Sequence, residues 1–323
     1  MSGVLDLNQI VGHEMVRQVL QRAIAEGRVA NAYLFHGPSG VGKTTTAFAF
    51  AKALHCVEGT GTDGCASCQR YDAGVAHPDL IVLDGTEGAL KIDQIRRMQE
   101  QLNYKAQSGG YKVCIMIGAD QITVQAANSA LKVLEEPPGQ SVIILTGESP
   151  SQFLPTILSR CQVLAFQPVA VEVLARHLIS LGSSESQAQI LARLFEGRVG
   201  TAVNALSSDV LDMRNTMLGY LRDVQGHGWA GLYSDSTLWE KERVQGRLAL
   251  KIMLSWYRDL LLIKTGTREN LVNFDWEGPL EEAAKRYALD DLLQITQAIE
   301  GALNYRQGTG YYRIYLDRIL SLL

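Results

Sequence analysis

The residues most capable of chemistry lie together near the start of the chain, at 37–44. This stretch reads GPSGVGKT and fills every position of the phosphate-binding pattern GxxxxGK[ST]. An apolar run at 33–35 precedes it and a helix-like stretch at 45–54 follows it, which is the context that the pattern requires. Glycines let successive backbone N–H groups face anionic oxygens, and the helix N-terminus adds partial positive charge. The stretch therefore predicts a site for nucleotide phosphates.

Two side chains of this phosphate loop have predictable roles. Lys43 is expected to reach the terminal phosphates, and the Thr44 hydroxyl is expected to reach a bound Mg²⁺. The residues predicted to contact ATP or ADP are Val11, Gly37, Gly40, Val41, Gly42, Lys43, Thr44 and Thr45. The alternative is a glycine-rich turn that binds nothing.

ATP hydrolysis also needs acidic residues at the end of a second buried strand, where they hold the metal and orient the attacking water. The obvious strand is 113–117. The two positions that should be acidic are Ile117 and Gly118, and Asp120 arrives too late in the chain. Neither Ile117 nor Gly118 can bind a cation.

Asp84 is a rival candidate for the missing acid, because it follows the apolar run 80–83. Asp84-Gly85-Thr86 is also a favourable start for a turn, and we favour this interpretation. The chain is therefore expected to hold Mg²⁺ weakly and to hydrolyse ATP poorly by itself.

Length and composition limit the class of protein. A chain of 323 residues that is 46% hydrophobic can bury a large core and is expected to form two or three domains. The formal charge of −4 argues against a protein that grips nucleic acid alone through a broad basic surface. Five cysteines without a signal peptide indicate a reducing cytoplasm. The apolar stretch 248–263 contains Lys251, Arg258 and Asp259, which favours a buried helix over a membrane span.

The pattern of apolar residues predicts an α/β protein followed by helices. Strands are predicted at 32–35, 80–83, 113–117, 142–146 and 163–166, with helices at 8–27, 92–102 and 128–136. Alternating strands and helices after a phosphate loop imply a parallel sheet with its ligand at the carboxyl ends of the strands. No strand-like run follows residue 167. We therefore predict three domains, at 1–167, 168–207 and 208–323.

Three cysteines lie in a separate module, at 55–77. Cys65 and Cys68 have the tight spacing of a zinc turn, and Cys56 precedes them. A fourth cysteine at the same step would fall on Tyr71. Possible replacements for the fourth zinc ligand are His55, Asp72 and His77. Three free thiols are the alternative to bound Zn²⁺.

Arg160 lies between the amphipathic stretch 153–158 and the last predicted strand. An arginine beside a buried strand commonly pairs with a nearby acid. From spacing alone, we expect such a local pair.

Taken together, these segments resemble a known family. They are 11–14 (VGHE), 32–35 (AYLF), the phosphate loop, the three cysteines, 77–79 (HPD), 128–138 (NSALKVLEEPP) and 159–161 (SRC). In this order they are similar to the bacterial clamp-loader branch of the AAA+ ATPases. The resemblance implies an AAA+ core at 1–167, a small helical lid at 168–207 and an all-helical collar for oligomerisation at 208–323.

The resemblance also distinguishes two subunit types. Motor subunits of the gamma/tau type carry an Asp-Glu pair where this chain has Ile117 and Gly118, and a nucleotide-sensing arginine that aligns with Gly200, two residues after Arg198. Loss of these groups with retention of the SRC segment is typical of the non-motor subunit. Arg160 is then expected to act in trans, on ATP bound by a neighbouring motor subunit.

The implied partners are the motor and delta subunits of the clamp loader, with the sliding clamp and primed DNA reached through the complex. No catalytic centre of its own is expected, although the chain would be a subunit of the DNA polymerase III holoenzyme. Two alternatives stay open. One is an active gamma/tau-type motor, and the other is an unrelated nucleotide-binding switch in which Arg160 serves only an internal ion pair.

Overall fold

The computed structural model describes residues 4–86, 88–108, 110–223 and 243–304, with 318, 319 and 322. These residues fall into two compact units. The first lies within Met1–Leu174 together with Gly197–Thr201, and the second within Ala175–Glu196 and Ala202–Leu323. Of the predicted helical segment 208–323, residues 224–242 and most residues after 304 lie outside the described part.

The first unit is built on one parallel sheet. Its strands are β1 (Ala32–His36), β2 (Leu80–Asp84), β3 (Lys112–Ile117), β4 (Ser141–Gly147) and β5 (Gln162–Ala165). Their order across the sheet is β2-β3-β4-β1-β5, and every neighbouring pair is parallel. All five predicted strands are confirmed, although β5 lies one residue earlier than its apolar run suggests. Because the strands are parallel, their carboxyl ends share one edge, where β1 leads into the phosphate loop.

Helices cover both faces of this sheet. They are α1 (Glu14–Ala25), α2 (Lys43–His55), α3 (Ala66–Asp72), α4 (Ile92–Asn103), α5 (Val124–Glu135) and α6 (Pro155–Leu158). On β1, Tyr33 and Phe35 pack with residues of α1 and α2, whereas Leu34 packs on the opposite face with residues of α4 and α5. This alternation explains why the central strands are apolar throughout, since both of their faces are buried.

The bounds of α5 matter for the site described below. The Thr123 hydroxyl accepts a hydrogen bond from the N–H of Ala126 (3.3 Å) and caps the helix, which therefore begins earlier than the predicted residue 128. The helix ends at Glu135, because Pro137 and Pro138 cannot continue it. Glu135 is thus held at the last turn of α5.

The described residues after β5 form only helices, as predicted. These are α7 (Val171–Ser180), α8 (Glu185–Leu194), α9 (Val199–Leu206), α10 (Val210–Arg222), α11 (Arg243–Lys264), α12 (Glu277–Ala284) and α13 (Leu289–Asn304). They account for the helical character expected of a lid and a collar. The division into three domains at 167 and 207 stays a prediction.

Helix α11 contains the apolar stretch 248–263 and is a buried helix, as its sequence predicts. Trp256 and Leu260 are fully buried, and the carboxylate of Asp259 accepts hydrogen bonds from the backbone N–H groups of Val272 (3.0 Å) and Asn273 (2.8 Å). These bonds satisfy a buried polar group that would otherwise be costly. Within the part of the chain that the structure describes, no helix has the length and apolarity of a membrane span.

Candidate functional site: a phosphate loop, a cysteine cluster and a surface arginine

The phosphate loop joins β1 to α2 in the predicted strand, turn and helix. Gly37, Gly40 and Gly42 all have positive φ angles, of 149°, 82° and 108°. A Cβ on Gly37 would overlap the carbonyl oxygen of Phe166, and one on Gly40 would overlap the hydroxyl of Thr201. Gly37 and Gly40 are therefore required by both backbone conformation and space, whereas Gly42 is required by backbone conformation alone.

Lys43, the first residue of α2, is held within this loop. Its ammonium group donates hydrogen bonds to the carbonyl oxygens of Gly37 (2.6 Å) and Pro38 (2.7 Å). Burial lowers the pKa of Lys43 below its ordinary value, while Glu148 and Asp120 act in the opposite direction. The chain thus positions a partly desolvated cation at the mouth of the loop, where phosphate oxygens would bind.

The other predicted nucleotide contacts surround this lysine with differing exposure. Val41 is buried, Val11 and Thr44 are partly buried, and Thr45 is exposed. Sequence reasoning missed His13, whose Nε2 lies 2.9 Å from the carbonyl oxygen of Val41. His13 is the N-cap residue of α1, but its side chain makes no capping hydrogen bond, so no local pattern indicated this contact.

No carboxylate stands at the end of β3. The carbonyl of Ile117 accepts the N–H of Gly85 (2.8 Å), and the N–H of Gly118 donates to the Thr146 hydroxyl (3.1 Å). Asp84 accepts the N–H and hydroxyl of Thr86 (2.8 and 2.6 Å), which confirms that it opens a turn. The two positions that sequence reasoning singled out therefore supply no metal ligand.

Asp120 was set aside in the sequence because it comes too late after β3, but folding brings it into the neighbourhood of the loop. Its Oδ2 accepts the N–H of Glu148 (3.3 Å), and both carboxylates act on the charge of Lys43. Glu148 follows β4, a strand adjacent to β1 in the sheet. The order β3-β4-β1 across the sheet, which the sequence does not state, brings the two acids near Lys43.

Gly200 lies directly against the phosphate loop. Its N–H donates to the carbonyl of Gly40 (2.8 Å), and a Cβ on Gly200 would lie 3.2 Å from that same oxygen. Any larger residue would have to shift the first turn of α9 or the loop. Gly200 therefore permits a close approach that an arginine at this position would oppose.

The three cysteines of the module converge, and Asp63 joins them. Cys56 follows α2, while Cys65 and Cys68 lie at the start of α3. The ligand atoms of Cys56, Asp63, Cys65 and Cys68 all lie within 4.8 Å of one another. Three sulfurs and one oxygen are a donor set that suits tetrahedral Zn²⁺, so the residues fit this metal.

Electrostatics of the cluster also favour a cation. The backbone N–H of Cys65 donates to Asp63 Oδ1 (3.0 Å) and lowers the pKa of that carboxyl, so Asp63 is ionised. Burial raises the pKa of the Cys68 thiol, and Asp63 raises it further. A bound cation would remove this opposition between the carboxylate and the thiols by stabilising their anionic forms.

The structure brings none of the fourth ligands suggested by the sequence into this cluster, and each of them makes other contacts. Asp72 pairs with the buried Lys52 (2.5 Å). His77 Nε2 lies 3.0 Å from the Ser67 hydroxyl, and its ring stacks on that of His55 at 4.1 Å. His55 Nδ1 lies 2.8 Å from the hydroxyl of Tyr71, the residue at the missing cysteine position.

Arg160 lies just after α6 with its guanidinium at the surface. Its Nε donates to Glu135 Oε1 (2.6 Å), and its second terminal nitrogen donates to the same oxygen. The remaining nitrogen donates to the carbonyl of Thr156 (2.8 Å) and the hydroxyl of Ser159 (3.2 Å). The predicted local ion pair is confirmed, and 31% of the arginine side chain remains exposed.

Comparisons with known proteins identify the relatives of this chain. A family model described as "DNA polymerase III, delta subunit" matches residues 12–170, and one described as "DNA polymerase III, delta subunit, C terminal" matches residues 210–308. The DNA polymerase III subunit delta' of Bacillus subtilis is 32% identical over 90% of this chain and 89% of its own length. The tau subunit of the same organism is 25% identical over 95% of this chain, but only 59% of tau is covered.

A solved structure supports the fold. A DNA polymerase III gamma subunit-related protein from Thermotoga maritima has a TM-score of 0.52 and 18% sequence identity, covering 94% of this chain and 97% of its own. This likeness, with the parallel sheet and the phosphate loop, confirms the predicted AAA+ architecture. By its similarity to the delta' subunit along almost its whole length, the chain belongs to the DNA polymerase III delta' subunit family.

Proposed function

We propose that this delta' family chain serves the clamp loader as a non-motor subunit that lends Arg160 to a neighbouring gamma/tau-type motor subunit. One observation carries the proposal. Strand β3 ends at Ile117 and is followed by Gly118, so no acid stands there, while the Arg160 guanidinium stays at the surface. A chain of this kind lacks the usual metal ligands for hydrolysis but retains a cation for a partner's phosphate.

Chemically, Arg160 would stabilise charge that develops on the γ-phosphate of ATP in the neighbouring subunit. A guanidinium suits this task because it is always charged and can bind two oxygens through adjacent nitrogens. Supplying it in trans makes hydrolysis depend on correct assembly. The proposed partners are the motor and delta subunits, and through them the sliding clamp and primed DNA.

For the chain's own loop, we propose binding of ATP or ADP without appreciable turnover. Lys43 and the glycines of the loop support binding. Asp120 and Glu148 are carboxylates near Lys43, but neither stands at the end of β3, where the metal ligands of an ATPase are expected. We further propose the organisation of a core at 1–167, a lid at 168–207 and a collar at 208–323, with the collar joining the subunits.

The test of the trans role is the ATPase rate of the complex assembled with Arg160→Ala. We expect turnover at the site served by this chain to fall by roughly 10³-fold or more, as for other arginines supplied in trans. The total ATPase rate of the complex then falls by the fraction of the turnover that this one site contributes. Arg160→Lys is the matched control, since it keeps the charge but loses the two-nitrogen contact and should rescue little. A complex rate unchanged by Arg160→Ala would exclude the trans role.

The rival function is that of a motor subunit, and the isolated chain separates the two. Our proposal expects no ATP turnover above background in the presence of Mg²⁺. Turnover that is abolished by Lys43→Ala would identify a motor. The motor function is a rival because the chain is also similar in sequence to a tau subunit.

We also propose that Cys56, Asp63, Cys65 and Cys68 hold Zn²⁺, which would tie the end of α2 to the start of α3. The expected zinc content is about one ion per chain. Asp63→Ala should weaken zinc retention against a competing chelator by at least about 10-fold. Asp93→Ala, which removes an exposed acid on α4, is the control. A chain without zinc, or equal retention by both variants, would contradict the site.

A further inference from the structure

We propose that Glu135 is a holding group for Arg160, and that Arg160 must exchange this carboxylate for the phosphate of the neighbouring subunit. The inference rests on the proposed trans role of Arg160 and adds the residue that regulates it. Glu135 would keep the guanidinium occupied in the free chain and release it when a stronger anion arrives.

The contacts define this pair closely. Glu135 Oε1 accepts hydrogen bonds from both Nε and a terminal nitrogen of Arg160. These two nitrogens form the edge of the guanidinium that can bind two oxygens of one carboxylate or one phosphate. Glu135 therefore occupies one of the edges that a phosphate would use.

The surroundings strengthen the hold on the cation. Glu135 is the last residue of α5, and the Thr156 carbonyl that binds Arg160 belongs to the short helix α6. Carbonyl groups at the end of a helix such as α5 carry partial negative charge, which favours a cation nearby. Pro137 and Pro138 stop α5 at this point and so fix where the carboxylate stands.

The hold is nevertheless exchangeable. The side chains of Arg160 and Glu135 are 31% and 47% exposed, so water screens their attraction. Exposed pairs of this type favour the paired state by only about two- to five-fold. A phosphate carries more negative charge than a carboxylate, and two anions beside one guanidinium repel each other. Arrival of the phosphate therefore favours separation from Glu135.

The first experiment measures the ATPase of the assembled complex as a function of ATP concentration, with Glu135→Gln in this chain. Glutamine keeps the size of the side chain and removes its charge. We expect the half-saturating ATP concentration to fall about two- to five-fold with little change in the maximal rate. Glu136→Gln is the matched control, because Glu136 is the next residue, is exposed and has the same charge. It should behave as the unaltered chain.

The second experiment uses the isolated chain and does not depend on the trans role. Phenylglyoxal reacts with the guanidinium nitrogens of arginine, and Glu135 occupies two of these nitrogens in Arg160 by hydrogen bonds. Glu135→Gln should raise the rate of modification at Arg160, followed by mass spectrometry, about two- to five-fold. The rate at Arg96, an exposed arginine on α4, should not change. An unchanged rate at Arg160 would overturn the holding role.

Arg160→Ala separates failure of this inference from failure of the proposed function. In a complex whose rate falls with Arg160→Ala, a half-saturating ATP concentration that is unchanged or raised by Glu135→Gln overturns the holding role alone. A complex that is insensitive to Arg160→Ala overturns the trans role itself. In the Arg160→Ala background, Glu135→Gln should have no effect on the ATP dependence, because the group it holds is gone.

Discussion

Lys43 and Arg160 are both cations that are expected to bind phosphate, but different groups surround them. Lys43 is bound by carbonyl groups of the loop that it completes, within a backbone that only glycines allow. Arg160 lies at the surface and is held chiefly by one carboxylate. The loop is thus part of the folded framework, whereas the arginine is an exchangeable group. This difference agrees with the two proposed roles. Lys43 would bind a nucleotide held by its own chain, and Arg160 would bind the nucleotide of a neighbouring chain.

The comparison predicts its largest effect on stability at Gly37. Gly37→Ala should lower the free energy of unfolding of the isolated chain by about 3 kcal/mol, because the new Cβ overlaps the carbonyl of Phe166 and β1 or β5 must move. Denaturant unfolding measures this change. Gly139→Ala is the control, since Gly139 also has a positive φ (64°) but has open space around it. Equal losses in the two variants would mean that backbone conformation alone explains the glycine.

A second effect, on ligand binding, is expected at Lys43. Lys43→Ala should weaken ATP or ADP binding to the isolated chain by about 10-fold or more, because charge-assisted hydrogen bonds to phosphate contribute about 1.5–3 kcal/mol. Calorimetry or a fluorescent nucleotide would measure the affinity. Arg160→Ala should leave this affinity unchanged. Equal weakening by both substitutions would remove the distinction between the two cations.

A smaller change is expected at Gly200. Gly200→Ala should destabilise the first unit by about 1 kcal/mol, since its Cβ would lie 3.2 Å from the backbone oxygen of Gly40, which has little freedom to move. In an ordinary helix interior the same substitution would be favourable. Thermal unfolding would therefore show directly whether Gly200→Ala lowers or raises the stability. Increased stability would contradict the close packing of Gly200 on the loop.

The smallest effect should come from Arg160 itself. Arg160→Ala should change the free energy of unfolding by less than about 1 kcal/mol, because exposed ion pairs contribute little. The same unfolding experiment as for Gly37 measures it. A loss as large as that of Gly37→Ala would show Arg160 to be a structural residue and would favour the internal ion pair as its whole role.

Much of the fold could be predicted because its signals are local. The glycine pattern at 37–44 demands the turn between β1 and α2, and the runs of buried apolar residues mark the strands of the sheet. The absence of acids at Ile117 and Gly118 could also be predicted, since the prediction required only the position where one strand ends. Helix α5 began earlier than predicted because Thr123 caps it with a hydroxyl, a signal that lies outside the apolar stripe.

The partners of the functional side chains could not be predicted from the sequence. Asp63 was overlooked because the spacing of cysteines directs attention to position 71, whereas the turn before α3 brings its carboxylate to the sulfurs. Glu135 is 25 residues before Arg160, and the two meet only because α5 and α6 lie on the same face of the sheet. The sequence led us to expect an acidic partner for Arg160, but the spacing of the residues identified neither Glu135 nor Asp63.

By itself, the sequence determined the phosphate loop, the order of strands and helices along the chain, and the missing acids of β3. These depend on backbone conformation and on periodicities within a few residues, which the chain specifies locally. Only the tertiary structure decided that Asp63 joins the cysteines, that Gly200 lies on Gly40 and that Glu135 holds Arg160. Such contacts depend on which helices pack on which face of the sheet, and the energy that selects this packing is summed over the whole core.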